Sequence, residues 1–322
     1  MIKDFVSLAP FSTDDIQEIF ALTQWLKETR PLDYKPLAGK TAALIFEKPS
    51  LRTHMSFEVG ILQLGGQSIF LSDERIGLAS RESARDVAEV LSQYNDLIIA
   101  RTYSHETVEK LAQYASVPVI NALTDRLHPC QILADAYTLL EKGLLSRDTR
   151  IVFVGDGNNV ANSWLELAEK IPLHLVVACP RGYEPDANLL RRAKMAGISK
   201  VEVQHDPSEA ARGASVLYTD VWVSMGQEEE KLKRQQAFAG FQINQKMLST
   251  ADPECLVMHC LPAHRGEEIT AEVLEGSQSV VMQEVENRLH VQKGIIAYLL
   301  GERAEHILSL DRSSQYALAE DV

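Results

Sequence analysis

The sequence predicts an α/β protein of two parallel-sheet domains, and three features predict it. Its 322 residues are enough for about two domains. Apolar runs such as Asp96-Leu-Ile-Ile-Ala100 and Val117-Pro-Val-Ile-Asn121 are continuous rather than alternating, as expected of strands buried on both faces. Strand-like and helix-like stretches alternate, stop at the link Lys142-Gly-Leu-Leu-Ser-Arg-Asp-Thr149, and then alternate again. That link divides the chain into domains at 1–145 and 146–322.

Taken in order, residues 12–28 read as an amphipathic helix. Ser12 and Asp15 form a loose capping box, and Ile16, Ile19, Phe20 and Leu26 line one side. Strands follow near 41–46, 67–71, 96–100 and 117–121, with helices near 55–64, 84–93, 105–114 and 130–142. After the link, strands are expected at 150–154, 173–178, 200–204, 214–218 and 255–258, and helices at 160–170, 186–196 and 207–212. The polar run Gln227 to Gln236 reads as a mobile surface segment or a short helix. The final helix, near 284–300, carries Val291, Ile295, Ile296 and Leu299 as its apolar stripe.

Composition narrows the class. The chain is 45% hydrophobic and 24% charged, as expected of a soluble globular protein. A net charge of −13 argues against nucleic acid as a partner and gives no reason to expect a membrane surface. No signal peptide is expected after Met1-Ile-Lys-Asp-Phe5, and no apolar run is long enough to span a bilayer. Cys130, Cys179, Cys255 and Cys260 have neither metal nor redox spacing, so reduced thiols in a cytoplasm are the expectation.

Seven stretches carry chemistry. In Phe46-Glu-Lys-Pro-Ser-Leu-Arg-Thr-His54 a strand ends and a helix begins. Free N–H groups and the positive end of the helix dipole point out there. With Ser50, Arg52 and Thr53 added, the place suits a phosphate; the plainer reading is Ser50 as an N-cap and Arg52 as a solvated charge. Arg101 follows the strand Leu97-Ile-Ile-Ala100, where open parallel sheets bind ligands, or is a surface arginine. His128-Pro-Cys-Gln131 opens a helix, and its imidazole and amide could hold a small carbonyl or simply start the helix.

Gly155-Asp-Gly-Asn-Asn159 resembles the first turn of a nucleotide-binding half, but Val160 stands where the third glycine belongs. A dinucleotide is therefore not expected, and amides offered to a polar ligand fit better. Asp220-Val-Trp-Val-Ser-Met-Gly226 offers an anion for an ammonium and donors for a carboxylate, or is a loop with an Asp cap. Cys260, in His259-Cys-Leu-Pro262, reads as a packed or ligand-facing thiol, because the sequence arranges no base to activate it. Glu286-Asn-Arg288 begins the last helix, where Arg288 is a solvated charge or another anion ligand.

Together, in this order, these motifs resemble the aspartate/ornithine carbamoyltransferase family, and within it the ornithine carbamoyltransferases. The resemblance runs from about Leu37 to about Ala297. It implies two α/β domains around a cleft, carbamoyl phosphate mostly on the first and ornithine mostly on the second, with the C-terminal helix packing back toward the first. It implies carbamoyl phosphate against Ser50, Leu51, Arg52 and Thr53, with Arg101 on the phosphate side. His128 and Gln131 would hold the carbamoyl group, with Arg288 and the backbone at Cys260 and Leu261 also facing it. Ornithine would lie against Asn159, Asp220, Ser224 and Met225. Arg52, Arg101, His128, Gln131, Cys260 and Arg288 are the implied catalytic set. Homotrimers, or multiples of them, with sites near subunit boundaries are also implied.

The chemistry implied needs no cofactor and no metal. Arginines neutralise the leaving phosphate, and no redox step or electron sink enters. Ornithine's δ-ammonium, with a pKa of about 10.4, must lose a proton before it attacks. Burial in a closed cleft favours the neutral amine.

Two departures from the family pattern stand out. Leu51 and His54 replace a threonine and an arginine of the usual phosphate stretch, and Gly77 stands where the family often has Gln or His, in a segment implied to reach a neighbouring subunit's site; Arg75 and Arg81 are nearby. Carbamoyl transfer to putrescine, N-acetylornithine or aspartate, or a non-catalytic paralogue acting as a binding subunit, are the rival readings.

Overall fold

The computed structural model describes residues 3–72, 77–78, 82–224 and 228–304. The first part of the chain runs α1 (Thr13–Glu28), β1 (Thr41–Phe46), α2 (Leu51–Gln63), β2 (Gln67–Ser72), α3 (Ala84–Tyr94), β3 (Leu97–Arg101), α4 (His105–Tyr114), β4 (Val119–Leu123) and α5 (Pro129–Glu141). The second runs β5 (Arg150–Val154), α6 (Asn159–Ala168), β6 (His174–Ala178), α7 (Ala187–Ala196), β7 (Lys200–Gln204), α8 (Pro207–Ala211), β8 (Val216–Thr219), α9 (Lys231–Ala237), α10 (Gln245–Leu248), β9 (Leu256–His259), α11 (Ala271–Leu274) and α12 (Val281–Leu299). The strands form two wholly parallel sheets, ordered β2-β1-β3-β4 and β7-β6-β5-β8-β9.

The continuous apolar runs resolve into two faces, both covered. Leu44 and Phe46 of β1 join the large core shared by both sheets, whereas Ala43 and Ile45 join a second core on the opposite face. In the second sheet Ile151 and Phe153 face the shared core, and Val152 and Val154 a third. β2 is the exception. As an edge strand it leaves Ile69 and Phe70 49% and 36% exposed.

Local signals set the helix starts. The Ser12–Asp15 capping box of α1 is complete. Ser50 caps α2 by accepting from the Thr53 N–H at 3.2 Å, so that helix begins at Leu51, a turn before the apolar period suggests. The last helix also starts earlier than expected, at Val281, and Arg288 therefore lies in its interior and not at its start. α12 packs against α1, α2 and α5, back toward the first sheet. Gly294 permits the crossing with α1, since a Cβ there would lie 2.2 Å from Thr23 Oγ1.

The polar run after residue 227 is a short 3-10 turn, Glu228–Glu230, leading into α9, and it is anchored rather than loose. Arg234 is buried, its guanidinium donating to Asp156 at 2.7 Å and to the Trp222 carbonyl at 3.0 Å. No helix among the described residues is long and apolar enough to cross a membrane.

Candidate active site

In each sheet the strand order reverses once, between β1 and β3 and between β5 and β8. A parallel sheet opens a crevice at such a switch point, beyond the carboxyl ends of the strands. Register aligns those ends: Phe46 pairs with Arg101, Val154 with Thr219, and Thr219 with His259. The loops that follow from both sheets line one cleft of about 680 Å³.

One end of the cleft is cationic. Arg52, Arg101 and Arg288 converge there with Thr53 and His128. Arg288, 3% exposed, donates from Nη2 to Thr53 Oγ1 at 2.6 Å, and Arg101 donates from Nη1 to the same oxygen at 3.4 Å. That hydroxyl accepts twice, so its single O–H is left to donate outward. The guanidiniums disturb one another. Burial, then Arg288 and Arg52, brings Arg101 down to about 10, still a cation at neutral pH. Burial and Arg52 also lower Arg288.

His128 sits at the N-cap of α5, its N–H donating to Ser163 Oγ at 2.7 Å. Burial and the three arginines push its imidazole well below the usual range, so it is neutral. Its Nδ1 and the Nε atoms of Arg52, Arg101 and Arg288 are buried without a partner among the described residues. A group of concentrated negative charge with several acceptors fits this end.

The other end is acidic. Asp220, 8% exposed, accepts from Asn158 Nδ2 at 2.7 Å, from the Val221 N–H at 2.8 Å and from the Cys260 thiol at 2.9 Å. Asn158 also caps α6, its Oδ1 accepting from Val160 and Ala161 N–H. Burial first, and Asp220 next, push the Cys260 thiol well above its usual range, so it stays protonated. Gly157 lets the turn after β5 approach its neighbour, since a Cβ there would fall 2.2 Å from the Pro185 nitrogen.

Most of the residues singled out in the sequence come together in this cleft: Ser50, Arg52, Thr53, Arg101, His128, Asn159, Asp220, Ser224, Cys260, Leu261 and Arg288 all line it. Gln131 does not. Its Oε1 accepts from Arg288 Nη1 and its Nε2 donates to Asp135, both at 2.8 Å, so both ends of its amide have protein partners in this structure. The Leu51 side chain is 75% exposed and lies outside the lining, leaving only its backbone at the helix start. Asn159 lines the cleft but donates its Nδ2 to the Thr124 carbonyl at 2.7 Å; the amide that reaches Asp220 belongs to Asn158. Gly77 is outside this cleft, and Met225, Arg75 and Arg81 fall outside the described residues. His54 turns away from the cleft. Its ring stacks on Phe70 at 4.2 Å and its Nε2 lies 3.0 Å from Glu58, off the hydrogen-bonding direction.

Sequence reasoning passed over Lys48, which is buried in the lining with its ammonium 4.4 Å from the Tyr103 ring, and the Arg234–Asp156 pair. The Phe46–His54 motif contains Lys48, but nothing in its spacing marks it. Among the described residues Asp220, His259 and Cys260 bring potential metal ligands within 4.8 Å of one another. They are already satisfied internally: the thiol donates to Asp220, and His259 accepts the Leu261 N–H on Nδ1 while its Nε2 faces Glu268 at 3.2 Å.

Comparison with known proteins agrees with this geometry. Residues 3–141 match the model of the aspartate/ornithine carbamoyltransferase carbamoyl-P binding domain, and residues 147–299 that of the Asp/Orn binding domain. An ornithine carbamoyltransferase of Chlorobaculum tepidum is 53% identical over 92% of this chain and 90% of its own length. A chloroplastic ornithine carbamoyltransferase of Pisum sativum is 49% identical over 94% of this chain and 81% of its own. The solved ornithine carbamoyltransferase of Pyrococcus furiosus superposes with a TM-score of 0.87 at 44% identity, covering 93% of this chain and 97% of that one. The anabolic enzyme of Campylobacter jejuni gives 0.89 at 36% identity, covering 94% and 100%. The chain belongs to the aspartate/ornithine carbamoyltransferase family.

Proposed function

We propose that this protein moves the carbamoyl group of carbamoyl phosphate to the δ-amine of L-ornithine, giving L-citrulline and phosphate, a step of arginine biosynthesis. The observation that carries the reading is the pairing, in one cleft, of two buried guanidiniums, Arg101 and Arg288, and the half-buried Arg52 with a buried carboxylate, Asp220. A phosphate dianion and an amino acid that is also a cation need those two ends.

Carbamoyl phosphate takes the cationic end. Its phosphate lies against the α2 N-terminus at Ser50 and Leu51 and against Arg52, Thr53 and Arg101, with Arg288 behind. Ornithine takes Asp220, Asn159, Ser224 and Met225. The δ-ammonium gives up a proton, more readily in a dry cleft than in water. Its nitrogen then bonds to the carbonyl carbon, and the resulting oxyanion meets donors from Arg101, the neutral His128 and the Thr53 hydroxyl. The C–O bond to phosphate breaks, its electron pair leaves with phosphate, and the proton left on the attacking nitrogen goes to the departing phosphate, whose remaining charge the arginines balance. Holding two substrates in line supplies a further part of the rate.

The same reading extends to carbamoyl phosphate on residues 1–145 and ornithine on residues 146–322, to trimers, and to a cytoplasmic setting. One assay tests its centre: citrulline formed from ornithine and carbamoyl phosphate. Citrulline with ornithine, and none of the corresponding product with putrescine or N-acetylornithine, is expected. No citrulline from the folded protein refutes the reading.

A further inference from the structure

Behind the arginines, outside the cleft lining, two carboxyl groups are buried against each other. Asp135 stands on α5 and Glu284 in the first turn of α12, 0% and 1% exposed. They are near enough that each is among the groups shifting the other's titration. Two ionised carboxylates are both acceptors, so one of this pair holds a proton.

The remaining partners say which. Asp135 already accepts from Gln131 Nε2 on Oδ1 and from the Tyr218 hydroxyl on Oδ2, both at 2.8 Å. Among the described residues Glu284 accepts only the His259 N–H, on Oε2 at 3.1 Å, and no donor meets its Oε1. The proton therefore sits on Glu284, and Asp135 is the anion that the Gln131 and Tyr218 donors hold.

That anion settles the Gln131 amide. With its N–H2 end held by the Asp135 carboxylate, its oxygen must face Arg288 Nη1, at 2.8 Å. Were Asp135 neutral, the amide could turn over and set N–H2 against guanidinium, donor against donor.

We propose that Asp135 and Glu284 are positioning residues for the carbamoyl phosphate site: a carboxyl pair sharing one proton that locks the Gln131 carbonyl onto Arg288 and so aims Arg288 at Thr53. This rests on the reading of the cleft given above. The titratable groups facing the pair are Arg288 from α12, Tyr218 from β8 and Cys260 after β9.

A pH signature follows. Burial raises Asp135 to about 6, with its hydrogen bonds and Arg288 opposing, and burial and Asp135 raise Glu284 well above the carboxylate range. Acids raised in the folded state add stability at low pH and lose it as pH rises, so protonating Asp135 does not favour unfolding. Protonation does release Gln131. Carbamoyl phosphate use therefore weakens as pH falls through about 6 while these two groups still favour the fold. A merely structural pair would not separate the two readouts in this way.

The test is steady-state kinetics from pH about 5.5 to about 8 on Glu284→Ala, Glu284→Gln and Asp135→Asn, with thermal melts as a check on folding. Glu284→Ala and Asp135→Asn should each raise KM for carbamoyl phosphate about tenfold or more, the effect of one lost charge-assisted hydrogen bond. Glu284→Gln keeps a donor for Asp135 and an oxygen for the His259 N–H, so it should restore KM to within about threefold of the parent. It should keep the acid limb, which Asp135→Asn should lose.

A Gln variant as damaged as the Ala variant overturns the proposal, as does Asp135→Asn with the parent's KM. If Asp135→Asn does not fold, the two Glu284 variants decide. Infrared spectra of the substrate-free protein should show the carbonyl band of a buried carboxylic acid that Glu284→Gln removes; no such band overturns the pair. Because that reading needs no turnover, it stands apart from a failure to make citrulline, which refutes the function instead.

Discussion

Asp220→Asn separates what Asp220 does for ornithine from what it does for the fold. The carboxylate accepts from Asn158, the Val221 N–H and the Cys260 thiol. An amide of the same shape has one acceptor end and one donor end. If its oxygen serves Val221, its N–H2 opposes Asn158 Nδ2; Asn158 cannot turn over, because its Oδ1 caps α6. If its oxygen serves Asn158, its N–H2 crowds the Val221 N–H. One buried donor is stranded either way, which costs about 1–3 kcal/mol of stability in free and bound enzyme alike. That cost cancels from ornithine affinity. What does not cancel is the charge-assisted bond to the ammonium, about 1.5–3 kcal/mol, or about 10–150-fold in kcat/KM for ornithine. A melt should record a loss of about 2–4 °C per kcal/mol. KM for carbamoyl phosphate should not rise, since removing an acid near Arg52 does not weaken an anion site. An unchanged kcat/KM for ornithine beside a lowered melting temperature refutes the reasoning, because Asp220 would then be only a structural acceptor.

Cys260→Ser should stay measurably active, since a hydroxyl can also donate to Asp220, and mass spectrometry with carbamoyl phosphate alone should find no carbamoylated parent enzyme; an adduct at Cys260 would make the thiol a nucleophile. His54→Arg should bind carbamoyl phosphate as the parent does from pH about 6 to about 8, because the ring stacks on Phe70 outside the cleft; tighter binding by the variant above pH about 7 would bring His54 back into the site. His290 is lowered to about 4 by burial and by Lys293, so its share of stability is present above the unfolded value of about 6.5 and is lost as pH falls toward 4. His290→Gln should therefore narrow the difference between melts at pH 7 and pH 5, and an unchanged difference would count against that account.

What the sequence shows well is whatever depends on neighbours along the chain. The doubled alternation, the Ser12 and Ser50 caps and the strand-end position of Arg101 are local facts, and each expected element stands within a few residues of its place, while the one-turn helices α10 and α11 are not among those expected. The cleft was legible for the same reason: in a parallel sheet the loop after each strand opens on one side, so residues just past strand ends converge whatever their separation in sequence. Asn159 shows the limit. Two adjacent asparagines are equivalent in sequence, yet one turn of backbone makes Asn158 the cap and the partner of Asp220 and sends Asn159 toward Thr124.

What the sequence does not show has a common cause, which is that burial of a charge is decided by its partner. Arg234 sits in a run of glutamates, lysines and glutamines that reads as solvated, and only Asp156, 78 residues away, makes its burial possible. Both the spacing of Gln131 from His128 and the family resemblance offer its amide to the ligand. Its two ends are taken by Asp135 four residues on, which the spacing did allow, and by Arg288, 157 residues on, which no spacing shows. An unpaired buried charge is expensive, so a fold that gathers Arg52, Arg101 and Arg288 around a small anion must also bury what steadies them. Asp135 and Glu284 are that counterpart. They carry no motif of their own, Asp135 in a mostly apolar helix and Glu284 among other polar residues of α12, and so the requirement for them could be stated from the sequence while their identity could not.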